Sequence, residues 1–199
     1  MVAADRPVIL ASASQVRKTV MDALMIPYIV IPAGIDERAI RDVDSVARAE
    51  RLARAKAETV AHSHDGIVIA GDTFLLQDGA ILEKPTTLAE ARDMLVRLSD
   101  KRATVLTGFC YLDQEKAIDV STVVETTCAF REIGIAEIDY YVAAFPVLTF
   151  AGAFSPTSAY GASFIATVTG SMTGFIYGIP VELLIPLLER SGIGIHPRP

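Results

Sequence analysis

Val8-Ile9-Leu10-Ala11-Ser12-Ala13-Ser14-Gln15-Val16-Arg17-Lys18 is the segment around which the rest of the chain can be placed. Its opening apolar run fits a buried strand, and Val16, Val20 and Leu24 then recur at helical spacing, so a strand turns directly into a helix. The first N–H groups of such a helix have no partner within it and point outward. Small hydroxyl residues beside them, with an arginine one step inside, make an anion site. A plainer reading of the same residues is that Ser14 is an N-cap and Arg17 a solvated charge of the first turn. On this stretch alone both readings stand.

Working outward, helical spacing continues over 15–25 until Pro27, and the β-branched run 28–31 gives a second strand. Residues 32–41 read as a loop holding Asp36-Glu37-Arg38, and 45–61 as a long helix with Val46, Ala53, Ala57 and Val60 on one side and Lys56 late in its course. Gly66 to Ala70 is a continuous apolar run, as expected of a central strand, ending at Gly71-Asp72-Thr73; Asp78-Gly79 then marks a hairpin or a bulged continuation. Thr87-Leu88-Ala89-Glu90 is a capping box opening a helix to Leu98, and strands follow over 103–112 and 121–130. A short helix over 136–144 and a last one from Pro180 as its first residue to Arg190, stopped by Gly192, complete the pattern. This alternation is that of an α/β domain, read here as one unit over 1–199, without repeat or long linker.

The formal net charge of −6, the absence of tryptophan and the lack of any dense Lys/Arg patch speak against a nucleic-acid polymer as partner. Any phosphate bound here is a small ligand held by a few local cations. Cys110 and Cys128 lack metal-ligand spacing and read as buried reduced thiols, which fits a reducing, cytoplasmic setting. His62 and His64 at a helix end and His196 in the tail read as surface residues, not a metal cluster. The apolar run at 9–13 is too short for a secretory signal, and no run reaches membrane length.

Several residues then carry chemistry. Asp72, read as lying just past the end of an apolar strand, stands where α/β sheets place ligands; it holds a cation, activates a water, or simply caps a local turn. Lys84 before Pro85 is either aimed at a phosphate or merely exposed, Lys56 alone reads as a solvated helix charge, and Asp36 and Glu37 alone as loop charges. Their order changes the odds. Ser12 to Arg17, Ile35-Asp36-Glu37, Leu52-Ala53-Arg54-Ala55-Lys56-Ala57, Gly71-Asp72-Thr73 and Lys84-Pro85 occur in sequence, followed by Leu106-Thr107-Gly108, Glu137 to Val142, Ala151-Gly152-Ala153-Phe154 and Gly178-Ile179-Pro180.

This ordered set resembles the Maf family of nucleoside triphosphate pyrophosphatases, the septum-formation-inhibitor-like proteins, over nearly the whole chain. The resemblance implies an α/β fold like that of inosine triphosphate pyrophosphatases: a long mixed sheet with flanking helices and two lobes around a central cleft. It implies hydrolysis of a nucleoside triphosphate to the monophosphate and pyrophosphate with a divalent cation, Mg²⁺ or Mn²⁺, in a cytoplasmic homodimer. Carried over, Asp72 is the base that deprotonates water, Ser12, Ser14 and Arg17 cradle phosphate oxygens, Lys56 and Lys84 neutralise the triphosphate, and Glu37 joins Asp72 in holding metal. A rival reading is a non-catalytic Maf-like protein binding nucleotides or a division-related partner. A phosphosugar enzyme would keep the helix-terminus site but have no use for Lys56 and Lys84 together.

The chain departs from that pattern in places. Gln15 and Val16 replace the usual proline and first basic residue, Glu83 replaces the glycine before Lys-Pro, and Thr157 stands where a late Gln or Glu is tied to the base. Thr73 matches the subgroup acting on dTTP and UTP while Val16 and Thr157 do not, so these three positions bear on base choice and leave it open. The polar loop before the last helix is reduced to Ser171-Met172-Thr173-Gly174-Phe175, and no charge occurs between Asp139 and Glu182. That uncharged segment is expected to be a buried sheet with sparsely polar turns, or in part an apolar face for a second copy or partner.

Overall fold

A computed structural model describes residues 6–41 and 44–195; His196 lies outside them. The opening run forms β1 (Val8–Leu10), which pairs in parallel with β2 (Tyr28–Val30) on one side and β3 (Ile67–Gln77) on the other. Helices also cover both of its faces, which is why it reads Val-Ile-Leu without alternation. Ile9 and Leu10 are fully buried. The remaining strands are β4 (Ala80–Leu82), β5 (Arg102–Asp113), β6 (Ile118–Phe130) and β7 (Ile165–Gly170). They complete a seven-stranded sheet in the order β2-β1-β3-β5-β6-β7, with β4 paired to β3. The β3/β4 and β6/β7 pairs are antiparallel, so the sheet is mixed. The helices are α1 (Gln15–Ala23), α2 (Ser45–Ala61), α3 (Leu88–Leu98), α4 (Ile135–Ala144), α5 (Ala159–Ala162), α6 (Met172–Tyr177) and α7 (Val181–Arg190).

The chain divides into two compact units, passing from one to the other after Thr73, Leu106, Val124 and Ile176. In the first unit the pleat sorts side chains to two faces. Val8, Leu10, Ile67 and Ile69 pack with Val20 and Met21 of α1 and with Leu184 and Leu188 of α7. Ile9, Val68 and Ala70 pack with Ala53, Ala57 and Val60 of α2. The alanines let α2 lie very close to the sheet, and Gly108 of β5 completes the contact: a Cβ there would sit 2.0 Å from the Ala49 carbonyl oxygen. The second unit is built around Leu95 and Leu98 of α3, Phe130, Ile138 and Tyr141 of α4, and Phe154, Phe164 and Phe175. Its rings meet mainly edge-on or offset, as at Phe130–Phe154 and Tyr141–Phe164, both 5.0 Å apart.

Two expectations are corrected. The strand read as ending at Gly71 runs on to Gln77, and the chain reverses only at Asp78-Gly79, both at positive φ as a tight hairpin turn requires. Asp72 is therefore an internal strand residue, not one placed past a strand end. The glycine at 71 serves close packing: a Cβ there would come 2.7 Å from the Gly178 carbonyl. The uncharged segment after Asp139 is not chiefly a buried sheet. It folds into 3-10 turns at Val147–Thr149 and Ala151–Ala153, then α5, α6 and a single strand, β7, that is largely exposed. Prolines and glycines bend this stretch too often for long strands, and aromatic packing takes the place of ladder pairing. Smaller shifts occur at the last helix, where Pro180 occupies the cap position, and at 171–175, where the Ser171 hydroxyl accepts the Gly174 N–H at 2.9 Å and starts a helical turn.

Both cysteines are buried and free. Burial pushes the Cys110 thiol up to about 12 and the Cys128 thiol up to about 11. With the chain folded at about pH 8, close to the ordinary thiol pKa, neither should react with a disulfide reagent within minutes, whereas in guanidinium both should titrate. Rapid labelling of the native protein would contradict this packing. At the start of α4, Glu137 accepts from both terminal nitrogens of Arg131, at 2.6 and 3.0 Å, and from the Gly134 N–H at 3.0 Å. The Arg131 bond chiefly holds the Glu137 carboxyl down, from 4.5 to about 2. A folded value below the unfolded one means the unfolded chain binds more protons in this window. The stabilisation is thus fully present above pH 4.5 and is lost as pH falls toward about 2. Glu137→Gln should lower stability at neutral pH and make it fall less steeply as pH drops from 4.5 toward about 2, measured by urea unfolding at each pH.

Candidate active site

Residues 72 and 73 are neighbours on β3, so their side chains leave the strand on opposite faces. Asp72 shares its face with Val68 and Ala70, the face covered by α2, and Thr73 shares its face with Ile67 and Ile69, the face covered by α1 and α7. This one register step organises the site.

On the α2 side, Lys56 lies in the buried row with Ala49, Leu52, Ala53 and Val60. It is not a solvated helix charge. Its Nζ donates to Asp72 Oδ1 at 2.7 Å and pairs with Glu37 Oε1, also at 2.7 Å. Lys56 and Asp72 are only 9% and 7% exposed, so each ion is left with little water and depends on the other. Glu37 reaches them from the loop before α2, while its neighbour Asp36 folds back to accept the Arg38 N–H at 3.0 Å and remains a turn residue.

On the α1 side, Ser14 caps α1 by accepting the Arg17 N–H at 3.5 Å, and the Ser12 hydroxyl accepts the Ser14 N–H at 3.3 Å. The plain N-cap reading of Ser14 thus holds together with a structured Arg17. That side chain turns inward, donating from Nη1 to Ser12 Oγ at 3.0 Å, from Nη2 to Thr73 Oγ1 at 3.1 Å and from Nε to the Gly178 carbonyl at 3.1 Å. Part of Arg17 stays open to solvent, but its guanidinium is set among protein atoms, and that burial draws its pKa below the ordinary value against the opposing charges of Asp72 and Glu37.

Ser12, Ser14, Arg17, Glu37, Lys56, Asp72 and Thr73 are thereby drawn together within the first unit. Val16 lies in the first turn of α1, partly buried. Lys84 and Thr157 belong to the second unit. Lys84 is exposed on the turn after β4, between Glu83, whose carbonyl accepts the Gly152 N–H at 3.1 Å, and the buried Pro85. Thr157 is exposed, its hydroxyl 2.8 Å from Ser155 Oγ. Sequence reasoning missed the parts played by Gly178, Gly71 and Gly108; the motif Gly178-Ile179-Pro180 was visible, but nothing local says that a carbonyl there meets an arginine.

The donor set suits a shared cation better than a resident one. Among the described residues no three His, Cys, Asp or Glu side chains gather as a metal cluster. Glu37 and Asp72 do converge from two sides on one ammonium, and Mg²⁺ is commonly held by one or two carboxylates together with substrate phosphates. Among the described residues, too, no helix is long and apolar enough to cross a membrane.

Comparison with known proteins agrees with the motifs. The family model for Maf-like protein matches residues 7–191. The chain is 35% identical over 185 residues to a dTTP/UTP pyrophosphatase of Syntrophus aciditrophicus (strain SB), spanning 92% of this chain and 89% of that one. It is 36% identical over 193 residues to a dTTP/UTP pyrophosphatase of Desulfotalea psychrophila (strain LSv54 / DSM 12343), spanning 96% and 98%. Among solved structures, the Ham1 protein of Staphylococcus aureus is similar at 19% identity and a TM-score of 0.44, over 65% of this chain and 73% of that one. With a family match that runs from β1 to the end of α7, and relatives alike over nearly their whole length, this chain belongs to the Maf family.

Proposed function

We propose that this chain is a nucleoside triphosphate pyrophosphatase, in which water attacks the α-phosphorus, the bond to the bridging oxygen breaks, and the nucleoside monophosphate and pyrophosphate leave. The observation that carries the proposal is the pairing at positions 72 and 73: a buried carboxylate salt-bridged to Lys56 on one face of β3, and a hydroxyl holding Arg17 on the other. Asp72 takes the proton of the attacking water. Lys56 occupies Oδ1, which fixes the carboxylate and leaves Oδ2 as the oxygen we assign to that proton. Ser12, Ser14 and Arg17 receive phosphate oxygens at the start of α1, where the free N–H groups and the helix dipole favour negative charge.

Phosphoryl transfer depends on placement and charge neutralisation more than on covalent chemistry, and these residues supply both. When a divalent cation is bound, Glu37 and Asp72 would hold it and it would offset charge on the phosphates. Lys84 is assigned to the triphosphate as a further cation. Because the relatives are named for dTTP and UTP, those are the substrates we place first, with Val16 and Thr157 as the positions that bear on the base. We place the enzyme in the cytoplasm as a homodimer, as the family resemblance implies.

Pyrophosphate release from a panel of canonical and modified nucleoside triphosphates with Mg²⁺ or Mn²⁺ tests the reading. Asp72→Asn should lower kcat by roughly 100-fold or more, the usual contribution of a general base. Equal trace release by wild type and variant would instead favour a nucleotide-binding protein without catalysis. Lys56→Met should lose activity and also about 3 kcal/mol of stability in urea titrations, because it strands Asp72 without its buried partner. Lys84→Met, an exposed change, should leave stability unaltered while raising KM roughly tenfold, the scale of one hydrogen bond to a charged group. An unchanged KM would remove Lys84 from the site.

A further inference from the structure

The three groups that hold the Arg17 guanidinium are all neutral: a serine hydroxyl, a threonine hydroxyl and a backbone carbonyl. A carboxylate in their place would anchor the fork equally well but would also cancel its charge. Neutral acceptors orient the fork and leave its positive charge for something else. Of the five N–H groups a guanidinium carries, these bonds use one on each nitrogen, so each terminal nitrogen keeps one for an incoming anion.

The space around the fork is reserved for it. Gly178 sits at φ +65°, a left-handed conformation that side-chain-bearing residues rarely adopt. A Cβ there would come within 2.8 Å of Thr73 Oγ1 and 3.1 Å of Arg17 Nε. On the strand below, a Cβ at Gly71 would meet the Gly178 carbonyl at 2.7 Å and Arg17 Nε at 3.1 Å. Two glycines far apart in sequence thus clear room for one guanidinium beside the Thr73 hydroxyl.

We propose that Thr73 and Gly178 are positioning residues of the reaction, which fix Arg17 in the orientation that binds the phosphate chain, and that Thr73 acts through Arg17 and not by reading the base. This inference rests on the pyrophosphatase reading for its kinetic consequences, but phosphate-chain binding can be measured without turnover. It assigns Thr73 an effect common to all nucleotides. A residue that touched the base would change the ranking of substrates.

The test compares Thr73→Val, which keeps shape and removes the hydroxyl, with Thr73→Ser, which keeps the hydroxyl. Thr73→Val should lower kcat/KM about tenfold for dTTP, UTP and dATP alike and weaken calorimetric binding of inorganic tripolyphosphate by a similar factor, as expected for one hydrogen bond to a charged group. Thr73→Ser should recover all but about threefold of both losses, since the bond to the guanidinium is restored. Arg17→Lys, which cannot present a fork, should already show the loss, and adding Thr73→Val to it should cost nothing more. Thermal melts of each variant show that it is folded. A changed ratio of dTTP to dATP rates in Thr73→Val, or losses that multiply in the double variant, would overturn the proposal. If wild type binds tripolyphosphate through Arg17 but hydrolyses no nucleotide, the pyrophosphatase reading fails while the positioning claim survives; absence of both binding and hydrolysis defeats both.

Discussion

The site depends on the pleat of one strand. Successive side chains of β3 leave on opposite faces, and the strand is covered on both, so two consecutive residues serve two different layers of the fold. Asp72 meets the helix that carries Lys56, which Glu37 also pairs with from the preceding loop, and Thr73 meets the helix that carries Arg17. A register slip of one residue would exchange them, setting the carboxylate against the arginine and the hydroxyl against the lysine. Both cations would then stand in the wrong company, one neutralised and the other stranded.

Burial makes this arrangement costly, and the surrounding packing is shaped to hold it. An ammonium and a carboxylate that give up nearly all their water recover the loss only at close range with good geometry, and the 2.7 Å contact between Lys56 and Asp72 meets that condition. The contact requires α2 to lie very near the sheet. Alanines at 49, 53 and 57 and the glycine at 108 provide this, because nothing larger fits between the helix backbone and β5. The same logic governs Arg17, where Gly71 and Gly178 take the place of side chains. At these positions small residues leave the room in which Lys56 and Arg17 are held.

The two sides of the strand are electrostatically unlike. On one, a lysine is shared by two carboxylates, so a cation already stands between the groups that chemistry would ask to hold a cation. On the other, an arginine is held by neutral oxygens and keeps its charge. In the proposed reaction the second type of group would meet the phosphate chain, and the first the attacking water. Because the two side chains leave the strand on opposite faces, the bonds of the arginine fork go to Ser12, Thr73 and the Gly178 carbonyl, while the Asp72 carboxylate is bonded to Lys56.

The local elements were legible in the order of residues alone: the strand-to-helix turn at 8–18, the cap at Ser14, the long α2, the Asp78-Gly79 reversal and the stop at Gly192. These follow from periodicity and turn chemistry, which act over a few residues. Ordered motifs also pointed to Arg17, Lys56 and Asp72, but not to what each would touch. It took the folded chain to show that Lys56 is buried, that β3 continues past Asp72, that the uncharged segment folds into short helical turns, and that Arg17 is anchored by a carbonyl 161 residues away. The reason is physical: apolar spacing says which face of an element is buried, whereas the partner on that face is set by how sheets and helices stack, and no local pattern encodes a contact between residues so far apart.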